Sequence, residues 1–247
     1  MTRPVSLRPG ERLDDLMCHG RHIIQDTREF CFSLDAVLLA HFPRLHGRDR
    51  VLELGTGTGV IPLLVADRVT HVDAIELSER MAELAERNVQ LNDMTGRIKI
   101  LQGDYRQIES LTAPERYDMV LANPPYRPVG RGTPSRLTAV ARARHEYTAT
   151  LADVVRAARY ALRFGGHFAM VHIPERLGEI MVELDRHQLA PKRLQLIAPK
   201  PGKAPNLLLI EAVVGGAAGG LQVLPQLVIH EEDGSYTPEL KHIYGMD

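Results

Sequence analysis

Four residues, Asn123-Pro124-Pro125-Tyr126, combine an amide side chain, two N–H-free backbone positions and an aromatic ring. They follow Tyr117-Asp118-Met119-Val120-Leu121-Ala122, a short apolar run of the kind that forms a buried strand. Neither proline can donate to a sheet ladder, so the strand must stop there, with a stiff backbone that fixes where its carbonyls point. The motif thus presents an Asn oxygen, a Pro carbonyl and a Tyr ring at the carboxyl end of a strand, where open α/β sheets bind ligands. An exocyclic –NH2 carries two donor hydrogens. The Asn123 side chain and the Pro124 carbonyl can accept one each, while Tyr126 stacks on the flat group that carries the nitrogen. The chemistry this suits is transfer to an amine or amide nitrogen, with Asn123, Pro124 and Tyr126 as the acting residues and Pro125 beside them on the acceptor side. Taken alone, the motif also reads as an Asn-capped turn ending a strand.

A second constellation lies upstream. Gly55-Thr56-Gly57-Thr58-Gly59 follows the strand Val51-Leu52-Glu53-Leu54 and runs into an apolar helix that starts early enough to tolerate Pro62. Glu76 ends the next strand, 21 residues after Gly55, where a carboxylate meets ribose hydroxyls in nucleoside-binding folds. Glycine loop plus acid leaves two cofactor classes open, a nicotinamide dinucleotide or a methyl donor. The spacing G-x-G-x-G departs from the dinucleotide G-x-G-x-x-G, and Glu53 would repel a pyrophosphate. A carboxylate there suits an ammonium, such as the methionine end of S-adenosylmethionine. Asp104 and Tyr105, after a third strand at Ile98–Leu101, are placed to meet an adenine amino group and its ring.

The elements that must position these residues alternate along the chain. A hairpin is expected from His22–Gln25 and Glu29–Phe32, after a short ordered piece at Leu13–Met17. Ser33 reads as the N-cap of a helix over Leu34–Phe42. A helix over Ser78–Leu91 places Met81, Leu84, Ala85, Val89 and Asn88 on one side. Further on come a helix from Leu151 to Leu162 capped by Gly165-Gly166, a strand at Phe168–Val171, a helix over Glu175–Leu189, and strands at Leu194–Ile197 and Leu207–Val214. Strand–helix alternation of this kind implies an α/β fold with a mostly parallel sheet. The expected division is an N-terminal extension (1–48), a core (49–214) and a C-terminal tail (215–247).

Composition bounds the rest. The chain has 247 residues, 44% hydrophobic and 25% charged, and a net charge of −1, so no global positive field advertises a nucleic-acid partner. Basic residues concentrate instead in two loops. One holds Arg127, Arg131, Arg136, Arg142 and Arg144; the other is Lys200-Pro201-Gly202-Lys203. Either is also what a solvated loop without a partner looks like. Two isolated cysteines and scattered histidines form no metal or disulfide pattern, and no apolar run spans a membrane, so a cytoplasmic protein without metal is expected.

Glu53-x-Gly55-x-Gly57-x-Gly59, Glu76, Gly103-Asp104-Tyr105 and Asn123-Pro124-Pro125-Tyr126 occur in that order, each at a strand tip. This resembles a class I S-adenosylmethionine-dependent methyltransferase of the branch acting on exocyclic amines and amides. The flanks Glu11–Leu16, Phe30–Leu39, Ala143–Glu146 and Gly234–Leu240 are similar to the bacterial tRNA(Val) adenine N6-methyltransferase family. The resemblance implies a Rossmann-like, seven-stranded sheet with helices on both faces and an antiparallel last strand. It implies that the segment holding Ser33 and Asp35 covers the cofactor. It also implies a tRNA substrate, for which Arg127, Arg131, Arg144, Lys200 and Lys203 are candidate backbone contacts. Release-factor glutamine methyltransferases and guanine N2-methyltransferases carry related motifs and are the alternatives.

Overall fold

The computed structural model describes residues 6–18, 20–29, 31–126 and 149–246. The chain opens with a hairpin of β1 (Glu11–Asp15) and β2 (His22–Asp26). This departs from the expected hairpin. Glu29, Cys31 and Phe32 are not in a strand, because the stretch that supplies β2's partner is Arg-Leu-Asp-Asp on its other side. The backbone N–H of Phe32 instead donates to the Gln25 side chain at 2.9 Å, which directs the chain into α1 (Leu34–His41).

The core follows as β3 (Arg50–Leu54), α2 (Val60–Val65), β4 (His71–Glu76), α3 (Glu79–Leu91), β5 (Ile98–Gln102), β6 (Tyr117–Ala122), α4 (Leu151–Ala161), β7 (Leu162–His172), α5 (Leu177–Arg186), β8 (Leu189–Ala198) and β9 (Leu207–Val214). These seven strands are ordered β8-β9-β7-β6-β3-β4-β5. All neighbours from β7 to β5 are parallel, and β9 runs antiparallel to both β7 and β8. The expected sheet is therefore present, with its last strand reversed. Two short tail strands, β10 (Gln222–Val223) and β11 (Leu227–Val228), add to the β8 edge. A final helix, α6 (Pro238–Tyr244), buries Leu240 in the cluster that holds α1.

Strand residues alternate between two hydrophobic clusters, as a sheet covered on both faces requires. Val51, Val72, Met119, Leu121 and Val171 face α1 and α2. Leu52, Leu54, Val120, Phe168 and Met170 face α4 and α5.

Two expectations fail at the second half of the core. Gly165 and Gly166 do not cap a helix; they lie inside β7, which begins directly after Ala161. A Cβ at Gly166 would stand 2.9 Å from the Arg163 carbonyl and 3.2 Å from that of Tyr117, so this strand needs glycine for close backbone approach at an irregularity. The helix expected to reach Leu189 ends at Arg186, and Leu189 already belongs to β8, which is longer than its apolar core suggested.

The chain order reverses between β3 and β6, and this positions the site. From β3 the chain builds outward through β4 and β5, then returns to β6 on the other side of β3. Leu54 is in register with Ala122. The glycine loop after Leu54 and the proline motif after Ala122 therefore leave the sheet side by side, at a topological switch point.

Candidate active site

The glycine loop is held from its neighbours. The N–H groups of Gly55 and Thr56 both donate to the Ile75 carbonyl, at 2.9 and 3.0 Å. Gly57 has φ 57°, a left-handed conformation that a side chain would strain, and its N–H donates to Glu76 Oε2 at 2.8 Å. Glu76 Oε1 accepts from the Ser78 N–H at 2.9 Å. Glu76 is thus a buried brace of the loop as well as the acid at the strand tip. A carboxylate at this strand tip is the group that would meet ribose hydroxyls.

Glu53 is 2% exposed. Its side chain accepts a hydrogen bond from the Thr56 hydroxyl. Burial pushes its pKa up to about 8; the Thr56 bond works against that rise and the Glu76 charge adds to it. No cation balances this acid among the described ion pairs. It lines a cleft of about 100 Å³ together with Phe32, Ser33, Gly55, Gly57 and Asn123. A buried carboxylate beside a backbone cradle fits a ligand with an ammonium group, and hence S-adenosylmethionine. Ser33 sits at the N-cap of α1 without bonding the helix, which leaves its hydroxyl to the cleft. Asp35, two residues on, does not line the cleft.

Tyr105 flanks the loop: a Cβ placed on Gly55 would be 3.8 Å from its ring, and burial raises its phenol well above the ordinary range. Asp104 has a local partner. Arg106 donates to it through Nε at 2.8 Å and a terminal nitrogen at 2.6 Å, and holds its carboxyl below the usual range. This short local ion pair, two residues apart, orients the carboxylate expected to meet an adenine amine.

On the acceptor side, Asn123 is partly buried, Pro124 buried and Pro125 exposed. The Tyr126 hydroxyl donates to Asp35 and lies 3.2 Å from Asn123 Oδ1. The Tyr126 ring packs on His172 with centroids 5.2 Å apart and a tilt of 51°. Its carbonyl accepts from Arg176 at 3.4 Å. His172 is fully buried, and burial, then Arg176, lowers its pKa to about 4. Its Nδ1 accepts from the Ile173 N–H at 2.8 Å, and the Arg176 guanidinium stands 3.5 Å from Nε2.

Sequence reasoning missed His172 and Arg176; a histidine ending the strand beside β6 was the available signal. It grouped Asn88 with the apolar face of α3 but gave it no role. Asn88 Oδ1 accepts from Ile24 N–H at 2.7 Å, and Nδ2 donates to the carbonyls of Ile24 and Thr58, at 3.0 and 2.9 Å. One buried amide therefore ties the β2 edge to the glycine loop. Asn92, one turn further, bonds the His22 backbone in the same way.

Lys200 and Lys203 lie in the turn after β8, which leaves the sheet at the same end as Gly55 and Asn123. Lys203 is exposed; Lys200 donates to the Glu232 carbonyl at 3.2 Å. Arg127, Arg131 and Arg144 lie outside the described residues. A larger cleft, about 330 Å³, lies against the hairpin and α3, but its arginines are already paired, Arg87 with Glu11 and Arg8 with Glu83 among them. Among the described residues no acid, histidine or cysteine cluster could hold a metal, and no helix is long and apolar enough to cross a membrane.

Comparison with known proteins agrees with this geometry. Residues 34–183 match the methyltransferase small domain family. A tRNA1(Val) (adenine(37)-N6)-methyltransferase of Tolumonas auensis is 32% identical over 88% of this chain and 90% of its own length. A protein of the same name from Porphyromonas gingivalis is 32% identical over 76% of this chain and 75% of its own. Among solved structures, a predicted O-methyltransferase of Agrobacterium tumefaciens superposes with a TM-score of 0.70 at 25% identity, covering 85% of this chain and 95% of that one.

Proposed function

The chain belongs to the methyltransferase small domain family and to the tRNA1(Val) (adenine(37)-N6)-methyltransferase family, and on that premise we propose that it methylates the N6 amine of an adenine in tRNA, the anticodon-loop adenine of a valine tRNA. The observation that carries this reading is the register of Leu54 with Ala122, which brings the buried acid Glu53 and the amide Asn123 to one cleft. S-adenosylmethionine, when bound, supplies an electrophilic methyl group on a sulfonium with a good leaving group.

The protein's part is alignment and electrostatics. Glu53 would pair the ligand's ammonium and give up its proton on doing so. Glu76 would meet the ribose hydroxyls, and the glycine-loop amides and Tyr105 would hold the nucleoside end. Adenine N6 is a poor nucleophile because its lone pair is delocalised into the ring. Asn123 Oδ1 and the Pro124 carbonyl take its two hydrogens, which favours a pyramidal nitrogen with its lone pair aimed at the cleft. Tyr126 and Pro125 receive the base once it has left its stack, at a cost of a few kcal/mol that is least in an unpaired loop. The methylated amine is acidic and loses its extra proton to water, so no strong base is needed.

In this reading residues 1–48 cover the cofactor, 49–214 form the core and 215–247 brace it, and the protein works in the cytoplasm with its tRNA. Arg127, Arg131, Arg144, Lys200 and Lys203 contact the phosphate backbone, so affinity for tRNA falls steeply with salt. The deciding experiment supplies labelled S-adenosylmethionine with either unmodified tRNA or a release factor. N6-methyladenosine in digested tRNA is expected. Label in a glutamine side chain, or on guanine, refutes the reading.

A further inference from the structure

The Tyr126 hydroxyl faces two acceptors from segments far apart in the chain. Asp35, in the first turn of α1, accepts from it, and Asn123 Oδ1 lies 3.2 Å away. A phenol has one hydrogen and can serve only one of them at a time. A carboxylate outcompetes an amide oxygen, because charge-assisted hydrogen bonds are about twice as strong as neutral ones. The ring cannot simply swing away, since His172 packs on it and Arg176 holds its carbonyl. Asp35 also stands apart from its neighbours: Phe32, Ser33 and Ala36 line the cleft with the glycine loop, whereas Asp35 is turned to Tyr126.

We propose that Asp35 is a positioning residue for the acceptor base: by taking the Tyr126 hydroxyl hydrogen, it keeps the Asn123 side-chain oxygen open for the substrate amine. The proposal rests on Asn123 holding that amine. It replaces the expectation that Asp35 contacts the cofactor. Without Asp35, the hydroxyl turns its hydrogen onto Asn123 Oδ1, and the site blocks itself with its own tyrosine. The consequence is a reversal that a merely structural role would not produce. Removing the hydroxyl as well should relieve the damage done by removing Asp35.

The test compares methyl transfer to unmodified tRNA by the wild type, Asp35→Ala, Asp35→Asn, Tyr126→Phe and the double variant Asp35→Ala/Tyr126→Phe. Asp35→Ala should lower kcat/KM on the order of tenfold or more, the value of a hydrogen bond that must now be broken before the amine is held. The double variant should be faster than Asp35→Ala and approach Tyr126→Phe. Asp35→Asn, which keeps an acceptor, should fall between the wild type and Asp35→Ala. Cofactor affinity, measured by calorimetry, should stay within about twofold throughout, well under the tenfold loss in rate. A double variant no faster than Asp35→Ala overturns the proposal, as does a cofactor affinity that falls in step with the rate. A wild type that transfers no methyl to adenine defeats the underlying reading instead. Unfolding midpoints of the ligand-free proteins then decide the clasp: non-additive losses from Asp35→Ala and Tyr126→Phe support it, and additive losses overturn it.

Discussion

Replacing Glu53 by Gln should make the ligand-free protein more stable and its cofactor binding weaker, and the two effects come from the same buried charge. Glu53 is 2% exposed, and burial raises its pKa from 4.5 to about 8. A raised folded-state pKa means that this group's contribution to stability is full below about 4.5 and is lost as pH rises through 8. Each pK unit is about 1.4 kcal/mol, so at pH 7 the folded protein holds a proton that the unfolded chain would release, at a cost of roughly 3 kcal/mol. Gln is isosteric, keeps an acceptor for Thr56 and has nothing to ionise. Allowing about 1 kcal/mol for its buried NH2, Glu53→Gln should gain on the order of 2 kcal/mol at pH 7. For a chain of this size that raises Tm by about 4–8 °C. The gain should shrink as pH falls and give way, near pH 4.5, to a loss of about 1 kcal/mol from the buried NH2. Binding should move the other way. Loss of a charged partner for the ammonium should raise the Kd for S-adenosylmethionine by about ten- to a hundredfold. Wild-type binding near pH 7 should also release a proton, visible as a dependence of the binding heat on the buffer. Thermal scans across pH and calorimetric titrations check all of this. A Glu53→Gln protein less stable than wild type at pH 8, with unchanged cofactor affinity, refutes the reasoning.

Two further outcomes follow from the surrounding network. Asn88→Ala strands the Ile24 amide and two carbonyls in a buried position, so it should cost about 2–4 kcal/mol in chemical denaturation and weaken cofactor binding through the loosened loop. His172→Gln bears on pH: the pKa of His172 is depressed to about 4, so its contribution to stability is present above the ordinary value of 6.5 and lost as pH falls through 4. The variant should lose less stability than the wild type between pH 6.5 and 4, and neither should show a His172 titration in the rate profile between pH 6.5 and 8.

The parts of the fold legible in the sequence were those set by local rules. The glycine loop, the proline stop after Ala122 and the strand-tip acids depend on backbone freedom and period-two burial, and both are written residue by residue. The hairpin was misplaced because β1, Glu-Arg-Leu-Asp-Asp, has almost no apolar content; it pairs with β2 through the backbone ladder and a Gln25–Asp14 side-chain bond, while Asn88 and Asn92 of α3 bond the β2 backbone. Gly165-Gly166 misled because a glycine pair after a helical pattern usually caps it, whereas here β7 needs close approach to β6. The clasp of Tyr126 by Asp35 spans 91 residues and leaves no periodic trace. The pairing of Asp104 with Arg106, by contrast, lay two residues apart in plain sight.

The central claim is that Asn123 holds the acceptor amine, and Asn123→Ala tests it most directly. Single-turnover methylation of unmodified tRNA, with enzyme and S-adenosylmethionine saturating, isolates the transfer step from binding. Loss of one of two oriented acceptors should slow that step by on the order of a hundredfold or more, the scale of removing a preorganised transition-state hydrogen bond, while the Kd for the cofactor stays close to the wild-type value. Transfer at near the wild-type rate, with cofactor and tRNA both bound, would contradict the account.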